Sequence, residues 1–316
     1  MKLLTIFFFI SHIANHTQAA GLGPGAFWQK IEPISCPSGY IPIPRNTIVG
    51  TNKDFCVAKY EMRNVGGVAT SIPSGLPWTG TGVGGVTFAR AKGYCSDLNT
   101  IHGVTNKYAL ITNPEWMTIA RNAELVNENW SPVGGVQTAG VGVMARGHSD
   151  TNPDAPQASS TDDDPYFGTG NSAAQAGNSG WEQRRTHILS NGEIIWDIAG
   201  NMWEYVDWEV AASDKATPSN GSTGNGAVEL NTLTLKISIS HVMKRVTWEQ
   251  NFTSRGSTNG LGNYNPYTEP NTSNGLTRRG GRWNGGQSAG VFTLSFWPSA
   301  TYNGDGFHSF RCVYRP

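Results

Sequence analysis

The chain has little charge and no excess of either sign. Of its 316 residues, 23 are Lys or Arg and 23 are Asp or Glu, so the formal net charge at pH 7 is zero and charged residues make up only 15%. Binding to nucleic acid or to an anionic membrane surface depends on clustered cationic side chains. We therefore expect no nucleic-acid partner.

Long hydrophobic runs are missing after the N-terminus. No later segment reaches the roughly 18 apolar residues that cross a bilayer, so we expect no membrane span. The N-terminus itself has the parts of a signal peptide: Lys2, an apolar run over residues 3–10 and small residues at 17–20. We predict that residues 1–20 are a signal peptide and residues 21–35 an N-terminal extension. The mature protein is then exported to the periplasm, the cell surface or the extracellular space; a buried N-terminal helix is the alternative.

Cysteine is scarce, and its spacing excludes two kinds of site. The four residues are Cys36, Cys56, Cys95 and Cys312. No CxxC pair exists and no spacing resembles a zinc site. An even number of cysteines in an exported chain indicates structural disulfides, and four cysteines allow three connectivities. One of them closes Cys36 with Cys56 locally and joins Cys95 to Cys312, which would attach the C-terminus to the body of the protein.

Glycine and tryptophan are abundant, with 39 and 11 residues. This composition predicts many turns around a rigid aromatic core. Apolar spacing predicts a helix over residues 88–98. A second helix should start at Thr112, because Thr112 and Glu115 form a capping-box pattern and Trp116 begins a buried face. The Asn191-Gly192 turn between two β-prone runs predicts a tight hairpin over residues 187–196.

Three segments, residues 131–182, 213–227 and 253–277, are polar and lack periodicity, so we predict surface loops. In the first loop, Asp162, Asp163 and Asp164 offer the hard oxygen ligands that calcium takes. Their spacing matches no EF-hand, and a solvated acidic loop is the favoured interpretation.

Residues 196–208, which include Asp197, Gly200, Asn201, Trp203 and Glu204, closely resemble a signature of the formylglycine-generating enzyme, or sulfatase-modifying factor, family. Three further motifs follow the family's order, and the match spans residues 36–312. They are Thr112-Asn113-Pro114-Glu115-Trp116, Arg279-Gly280-Gly281-Arg282-Trp283 and Phe310-Arg311-Cys312.

The resemblance implies a C-type-lectin-like fold, which is a loop-rich α+β architecture, over one domain of residues 36–316. It also implies that Cys95 and Cys312 are bridged. In enzymes of this type, the corresponding signature segment helps to hold a structural calcium. Carried across, the ligands are Gly200, Asn201, Met202 and Glu204; the alternative is that Asn201 and Glu204 cap and pair within the core without a metal.

This chain lacks the residues that the family's oxidase chemistry needs. Those enzymes hold copper with two nearby cysteines in the C-terminal region, because a soft thiolate pair is needed for Cu(I). This chain has no cysteine between Cys95 and Cys312, so we expect no copper and assign no catalytic residue. It also has no Gly-x-Ser-x-Gly elbow and no HExxH motif.

The C-terminal region instead mixes aromatic rings with hydrogen-bonding groups, as binding loops do. Its order of residues is also similar to the variable region of retroelement-diversified proteins, which share this fold. Alternation assigns Val291 and Phe310 to the core. The predicted ligand-binding residues are Trp283, Asn284, Gln287, Phe296, Trp297, Tyr302 and Asp305.

The sequence thus predicts an exported, non-catalytic ligand-binding or adhesion protein whose partner is a protein or a glycan. A metal-dependent oxidoreductase or peptide-modifying enzyme on the same scaffold is the alternative. A structural cell-envelope protein without a specific ligand is a third interpretation.

Overall fold

The computed structural model describes residues 34–80, 85–161, 164–171, 181–211, 217–218, 233–234, 257–265, 274–298 and 306–316. The predicted signal peptide and all but the end of the predicted extension lie outside these residues and stay predictions. The described helices are α1 (Phe88–Ile101) and α2 (Asn113–Glu124). The strands are β1 (Tyr40–Ile43), β2 (Phe55–Ala58), β3 (Arg63–Val65), β4 (Val68–Thr70), β5 (Tyr108–Leu110), β6 (Thr186–Ile188), β7 (Ile194–Trp196), β8 (Trp203–Val210), β9 (Thr217–Pro218), β10 (Leu233–Thr234), β11 (Tyr264–Asn265), β12 (Gly275–Gly280), β13 (Gly290–Pro298), β14 (His308–Phe310) and β15 (Cys312–Tyr314).

Both predicted helices are present. α2 starts where the capping pattern predicts, because the backbone N–H and the hydroxyl of Thr112 donate to the Glu115 carboxylate at 2.8 and 2.7 Å. The buried indole of Trp116 donates to the Val291 carbonyl at 2.9 Å, which fixes α2 against β13. No helix among the described residues has the length and hydropathy that a membrane crossing needs.

The strands form two larger sheets and several two-stranded ones. One sheet has the order β1-β2-β15-β5, and the other has the order β11-β13-β12-β8-β14. The predicted hairpin is β6 and β7, closed by the Gly192 N–H donating to the Leu189 carbonyl at 2.8 Å. With few helices, small sheets and long connections, the fold is mixed α+β and loop-rich, as predicted.

Two disulfides fix the cysteine connectivity. Cys36 is bonded to Cys56, and Cys95 is bonded to Cys312. The first bridge attaches the start of the described chain to β2, and the second attaches β15 to α1. The connectivity that the resemblance implied is therefore confirmed.

The described core has two clusters. The larger one joins α2 to both larger sheets and includes Trp116 of α2, Val57 of β2, and Val291, Phe292 and Phe296 of β13. The smaller one lies around α1 and the Cys95–Cys312 bridge, and Phe310 belongs to it. Val291 and Phe310 are thus core residues, as alternation predicted.

Candidate functional site

Two loops meet beside the end of β12. We call the two loops together, residues 149–155 and 282–289, the paired-loop surface. Backbone hydrogen bonds join the loops: the Thr151 N–H donates to the Trp283 carbonyl at 2.9 Å, and the Gly286 N–H donates to the Ser149 carbonyl at 2.8 Å. The Trp283 N–H donates to the Asn201 carbonyl at 3.0 Å, which ties the second loop to the signature segment. These bonds hold the loop backbones in one relative position.

Trp283 forms the base of this surface. Its side chain is 7% exposed, and its indole N–H donates to Asp154 Oδ1 at 3.1 Å. Its ring stacks on Phe307 with the centroids 5.1 Å apart, and the Arg282 guanidinium lies 4.2 Å from the centroid of the Phe307 ring. The stacked rings and the cation–π contact hold the Trp283 side chain in one position. Trp283 therefore anchors the loop more than it presents a ring to solvent.

Gly281 makes the tight entry into the second loop possible. Its φ is +91°, and a Cβ at this position would lie 2.6 Å from Ala289 Cα. A side chain would be strained by the backbone conformation and would collide with the far end of the same loop. The second glycine of the Arg-Gly-Gly-Arg-Trp motif is therefore required by the local geometry.

The outer side of the surface is polar. Asn284 and Gln287 are exposed, with Gln287 in a short 3₁₀ turn at Gly286–Ser288. Asp150, Asn152 and Asp154 are exposed on the facing loop. Amide and carboxylate groups accept or donate hydrogen bonds in several directions. The arrangement offers a ligand fixed polar groups around a buried aromatic base.

The other predicted contact residues are placed differently. Phe296 is fully buried in the larger core, where its ring meets Trp208 and Tyr264 edge-to-face at 5.5 and 5.7 Å. Its assignment to the binding surface was wrong, because it cannot reach a ligand from the core. Trp297, its neighbour on β13, is half-buried with the Arg278 guanidinium 4.1 Å from its ring centroid. Tyr302 and Asp305 lie outside the described residues.

The four predicted calcium ligands, Gly200, Asn201, Met202 and Glu204, are all buried. Both carboxylate oxygens of Glu204 accept hydrogen bonds from Arg311, at 2.8 and 3.1 Å. Asn201 Oδ1 accepts from the Gln157 N–H at 2.8 Å, and its amide donates to the Glu61 carboxylate. A calcium ion at these residues would share the Glu204 carboxylate with Arg311. Calcium binding at these residues stays a prediction.

Sequence reasoning missed the buried charge network around this segment. Arg185 donates to both oxygens of Asp197 at 2.7 Å, and both side chains are fully buried, as are Arg311 and Glu204. Paired, hydrogen-bonded geometry of this kind is what makes a buried charge tolerable. Arg185 lies outside the signature segment and the three other motifs, so no sequence pattern identified it.

Glu61 lies beside the same network. Burial raises the pKa of Glu61 well above its usual value, and the nearby carboxylates of Asp197 and Glu204 raise it further, while Arg63 and Arg311 oppose the shift. Burial also raises the pKa of Glu204, against the opposing effect of Arg311. These groups are enclosed in the core, so we assign them a structural role.

Three histidines of the described residues, His148, His187 and His308, are buried, and backbone carbonyls hold the first two. The imidazole Nε2 of His187 lies 2.8 Å from the Ala145 carbonyl, and that of His148 lies 3.0 Å from the Ala155 carbonyl. Burial lowers the pKa of His187 to about 4 and also lowers the pKa of His148. Both rings are neutral at pH 7 and enclosed, which does not suit them to act as bases on an external substrate.

Within the described residues there is no group of three or more His, Cys, Asp or Glu side chains that could hold a metal ion. All four cysteines are in disulfides, so the chain has no free thiol to offer a soft metal.

Comparison with known proteins gives distant structural matches. No protein-family profile matches the chain, and no curated protein matches it significantly. The structure of PvdO from Pseudomonas aeruginosa is similar over 89% of this chain and 92% of its own, with 12% identity and a TM-score of 0.35. Treponema denticola variable protein 1 is similar over 88% of this chain and 92% of its own, with 12% identity and a TM-score of 0.38.

Proposed function

We propose that this chain is an exported, non-catalytic recognition protein with a C-type-lectin-like fold, and that it binds a protein or glycan partner through the paired-loop surface. The observation that carries the proposal is the pair of exposed amides, Asn284 and Gln287, on a loop whose backbone is fixed from both sides. The remaining predicted contacts, Trp297, Tyr302 and Asp305, are proposed to extend this surface.

Preorganisation is the physical basis of the proposal. Ordering a flexible loop on binding costs free energy, roughly 0.5–1.5 kcal/mol for each immobilised side chain alone. Here the Trp283 N–H and carbonyl and the Gly286 N–H are already hydrogen-bonded, and the Trp283 ring is stacked on Phe307. A partner would therefore meet a loop that needs little further ordering.

The cysteine chemistry supports a non-catalytic role. The resemblance in the sequence is to enzymes that need a reactive thiol pair, whereas all four cysteines of this chain are consumed in two structural disulfides. A thiolate site for copper would require one of these bonds to be reduced.

The test is an array of glycans and surface proteins probed with the chain from residue 21 onward. Replacing both exposed amides, Asn284→Arg with Gln287→Arg, adds bulk and charge to the loop while leaving its anchors intact. The matched control is Asn52→Arg with Thr105→Arg, which changes two exposed polar residues elsewhere. We expect the loop variant to lose the array signal and the control to keep it, with equal unfolding midpoints. Equal signals from the two variants would refute the proposed surface, and an empty array would favour the structural envelope protein.

A further inference from the structure

His148 directly precedes the first of the paired loops, and its ring lies close to both ends of that loop. The imidazole Nε2 lies 3.0 Å from the Ala155 carbonyl, and Nδ1 lies 3.7 Å from Oδ1 of Asp150. The imidazole is fully buried, whereas the Asp150 side chain is 33% exposed. The pair therefore joins a buried nitrogen to a carboxylate that solvent can reach.

The hydrogen bond to Ala155 fixes the position of the proton on this ring. A carbonyl oxygen only accepts hydrogen bonds, so Nε2 carries the proton of the neutral imidazole and Nδ1 keeps a lone pair. Burial lowers the pKa of His148, which keeps the ring neutral at pH 7. Nδ1 is nevertheless buried without a hydrogen-bond partner in the described part of the chain. A buried polar atom without a partner is uncommon in folded proteins and calls for an explanation.

The group beside Nδ1 cannot satisfy it, because a carboxylate is also an electron-pair donor. Oδ1 of Asp150 accepts the Asn152 N–H at 3.1 Å, and Asp150 forms no ion pair with a Lys or Arg of the described residues. The nearby guanidinium of Arg185 is already bonded to both oxygens of Asp197. A lone pair and an unpaired carboxylate therefore lie side by side, and a cation between them would be attracted by both.

The 3.7 Å separation favours a metal ion over a bridging water. Zinc binds histidine nitrogen and carboxylate oxygen at about 2.0–2.2 Å, so two such ligands at the tetrahedral angle lie about 3.4 Å apart. A water that donates to both atoms at about 2.8 Å holds them about 4.5 Å apart. The observed gap is closer to the first value, and the exposed Asp150 side chain can close the difference.

We infer that His148 Nδ1 and the Asp150 carboxylate bind a divalent transition-metal ion of the zinc class. An imidazole whose second nitrogen donates to a backbone carbonyl is the usual form of a metal-binding histidine. Imidazole nitrogen suits zinc, whereas hard ions such as magnesium take oxygen ligands. With two protein ligands, water fills the remaining positions, and the site is weaker than a zinc centre with three or four protein ligands.

The bound ion holds Asp150, at the start of the first loop, against a ring that is bonded to Ala155 at the end of that loop. The two ligands are separate from the four predicted calcium ligands. The inference does not depend on the proposed function.

Zinc titration of the chain from residue 21 onward, prepared without a histidine tag, tests the inference. The ring nitrogens of the histidines are followed by ¹⁵N NMR, and the affinity is measured by calorimetry. We expect zinc to shift Nδ1 of His148 while Nε2 keeps its proton. Magnesium at the same concentration should leave Nδ1 unshifted, because it does not take an imidazole ligand.

Two variants locate the ion. Asp150→Asn removes the charge and keeps an oxygen that can accept the Asn152 N–H. Asp97→Asn is the matched control, because it makes the same change at an exposed position on α1. We expect Asp150→Asn to weaken zinc binding by about tenfold or more and Asp97→Asn to leave it unchanged. Without metal, both variants should unfold at the midpoint of the parent chain.

Three results would overturn the inference: no shift of His148 Nδ1 at millimolar zinc, equal zinc affinity for the two variants, or a shift of Nδ1 by magnesium equal to that by zinc. Zinc bound only by the exposed imidazole of His102 gives the first of these results. The array variant at Asn284 and Gln287 keeps both zinc ligands, so loss of array binding and loss of zinc binding are separate outcomes.

Discussion

The buried imidazole of His187 should make the protein sensitive to acid. Its pKa is lowered to about 4 by burial, with the charge of Arg184 contributing and the Ala145 carbonyl and Asp197 opposing. A histidine in the unfolded chain titrates near 6.5. Because the folded-state pKa is the lower one, His187 contributes full stability above pH 6.5 and loses that contribution as the pH falls towards 4.

The size of the effect follows from the two pKa values. At about 1.36 kcal/mol per pKa unit, a shift from about 6.5 to about 4 corresponds to roughly 3 kcal/mol, of which about 2 kcal/mol is lost between pH 7 and pH 4.5. The raised pKa values of Glu61 and Glu204 act in the opposite direction, because protonation relieves the cost of their burial as the pH falls. A difference between two variants separates His187 from these groups.

The variant is His187→Gln, whose side-chain amide can donate to the Ala145 carbonyl in place of Nε2 but does not titrate. Urea unfolding with intact disulfides is followed from pH 7 to pH 4.5 for both proteins. The variant is expected to be less stable than the parent chain at pH 7, with the gap closing by about 2 kcal/mol at pH 4.5. Parallel pH profiles would refute the assignment of the acid sensitivity to His187.

Three further predictions concern the frame that carries the site. Cys95 and Cys312 are 217 residues apart, so replacing both by Ser should lower the free energy of unfolding by about 5 kcal/mol in the chain-entropy treatment. The same change at Cys36 and Cys56, which are 20 residues apart, should lower it by about 3 kcal/mol. Equal unfolding midpoints for the two double variants would contradict this prediction. Arg311→Met leaves Glu204 buried and unpaired and should cost about 3–5 kcal/mol in chemical unfolding, so a loss below about 1 kcal/mol would be inconsistent with the network. If the signature segment holds the predicted ion, metal analysis should find calcium, and chelation should lower the unfolding temperature. Protein free of calcium with an unchanged midpoint would contradict that prediction. Stoichiometric copper or iron would favour the enzyme alternative.

Features encoded by local spacing were predictable from the sequence. The capping pattern of Thr112 and Glu115 and the Asn191-Gly192 turn each satisfy backbone groups within a few residues, so the chain nearby determines them. The Cys95–Cys312 bridge was accessible through the resemblance, since four cysteines by themselves allow three pairings.

Phe296 and Trp297 could not be separated by composition. Neighbouring residues on a strand face opposite sides of the sheet, so only one of two adjacent aromatics can face the core. The alternation of Phe292, Leu294 and Phe296 with Thr293 and Ser295 places Phe296 on the apolar face of β13 and Trp297 on the other face. This pattern was present in the sequence and could have assigned Phe296 to the core. In the structure, Phe296 lies opposite Thr277 and Trp297 lies opposite Leu276 on β12.

The paired loops were hidden from the sequence. The bonds of Thr151 to Trp283 and of Gly286 to Ser149 are backbone hydrogen bonds between segments that are distant in the chain. Backbone groups are the same in every residue, so no residue type marks such contacts. The sequence could identify the polar residues of one loop but not the facing loop that fixes it.

Hydrogen exchange on the complex tests the central claim most directly. With a partner identified on the array, backbone amides of residues 149–155 and 282–289 are compared in the free and bound protein. We expect added protection in both loops with little change in the buried strands β8 and β12. Protection confined to other segments, with both loops exchanging as in the free protein, would contradict it.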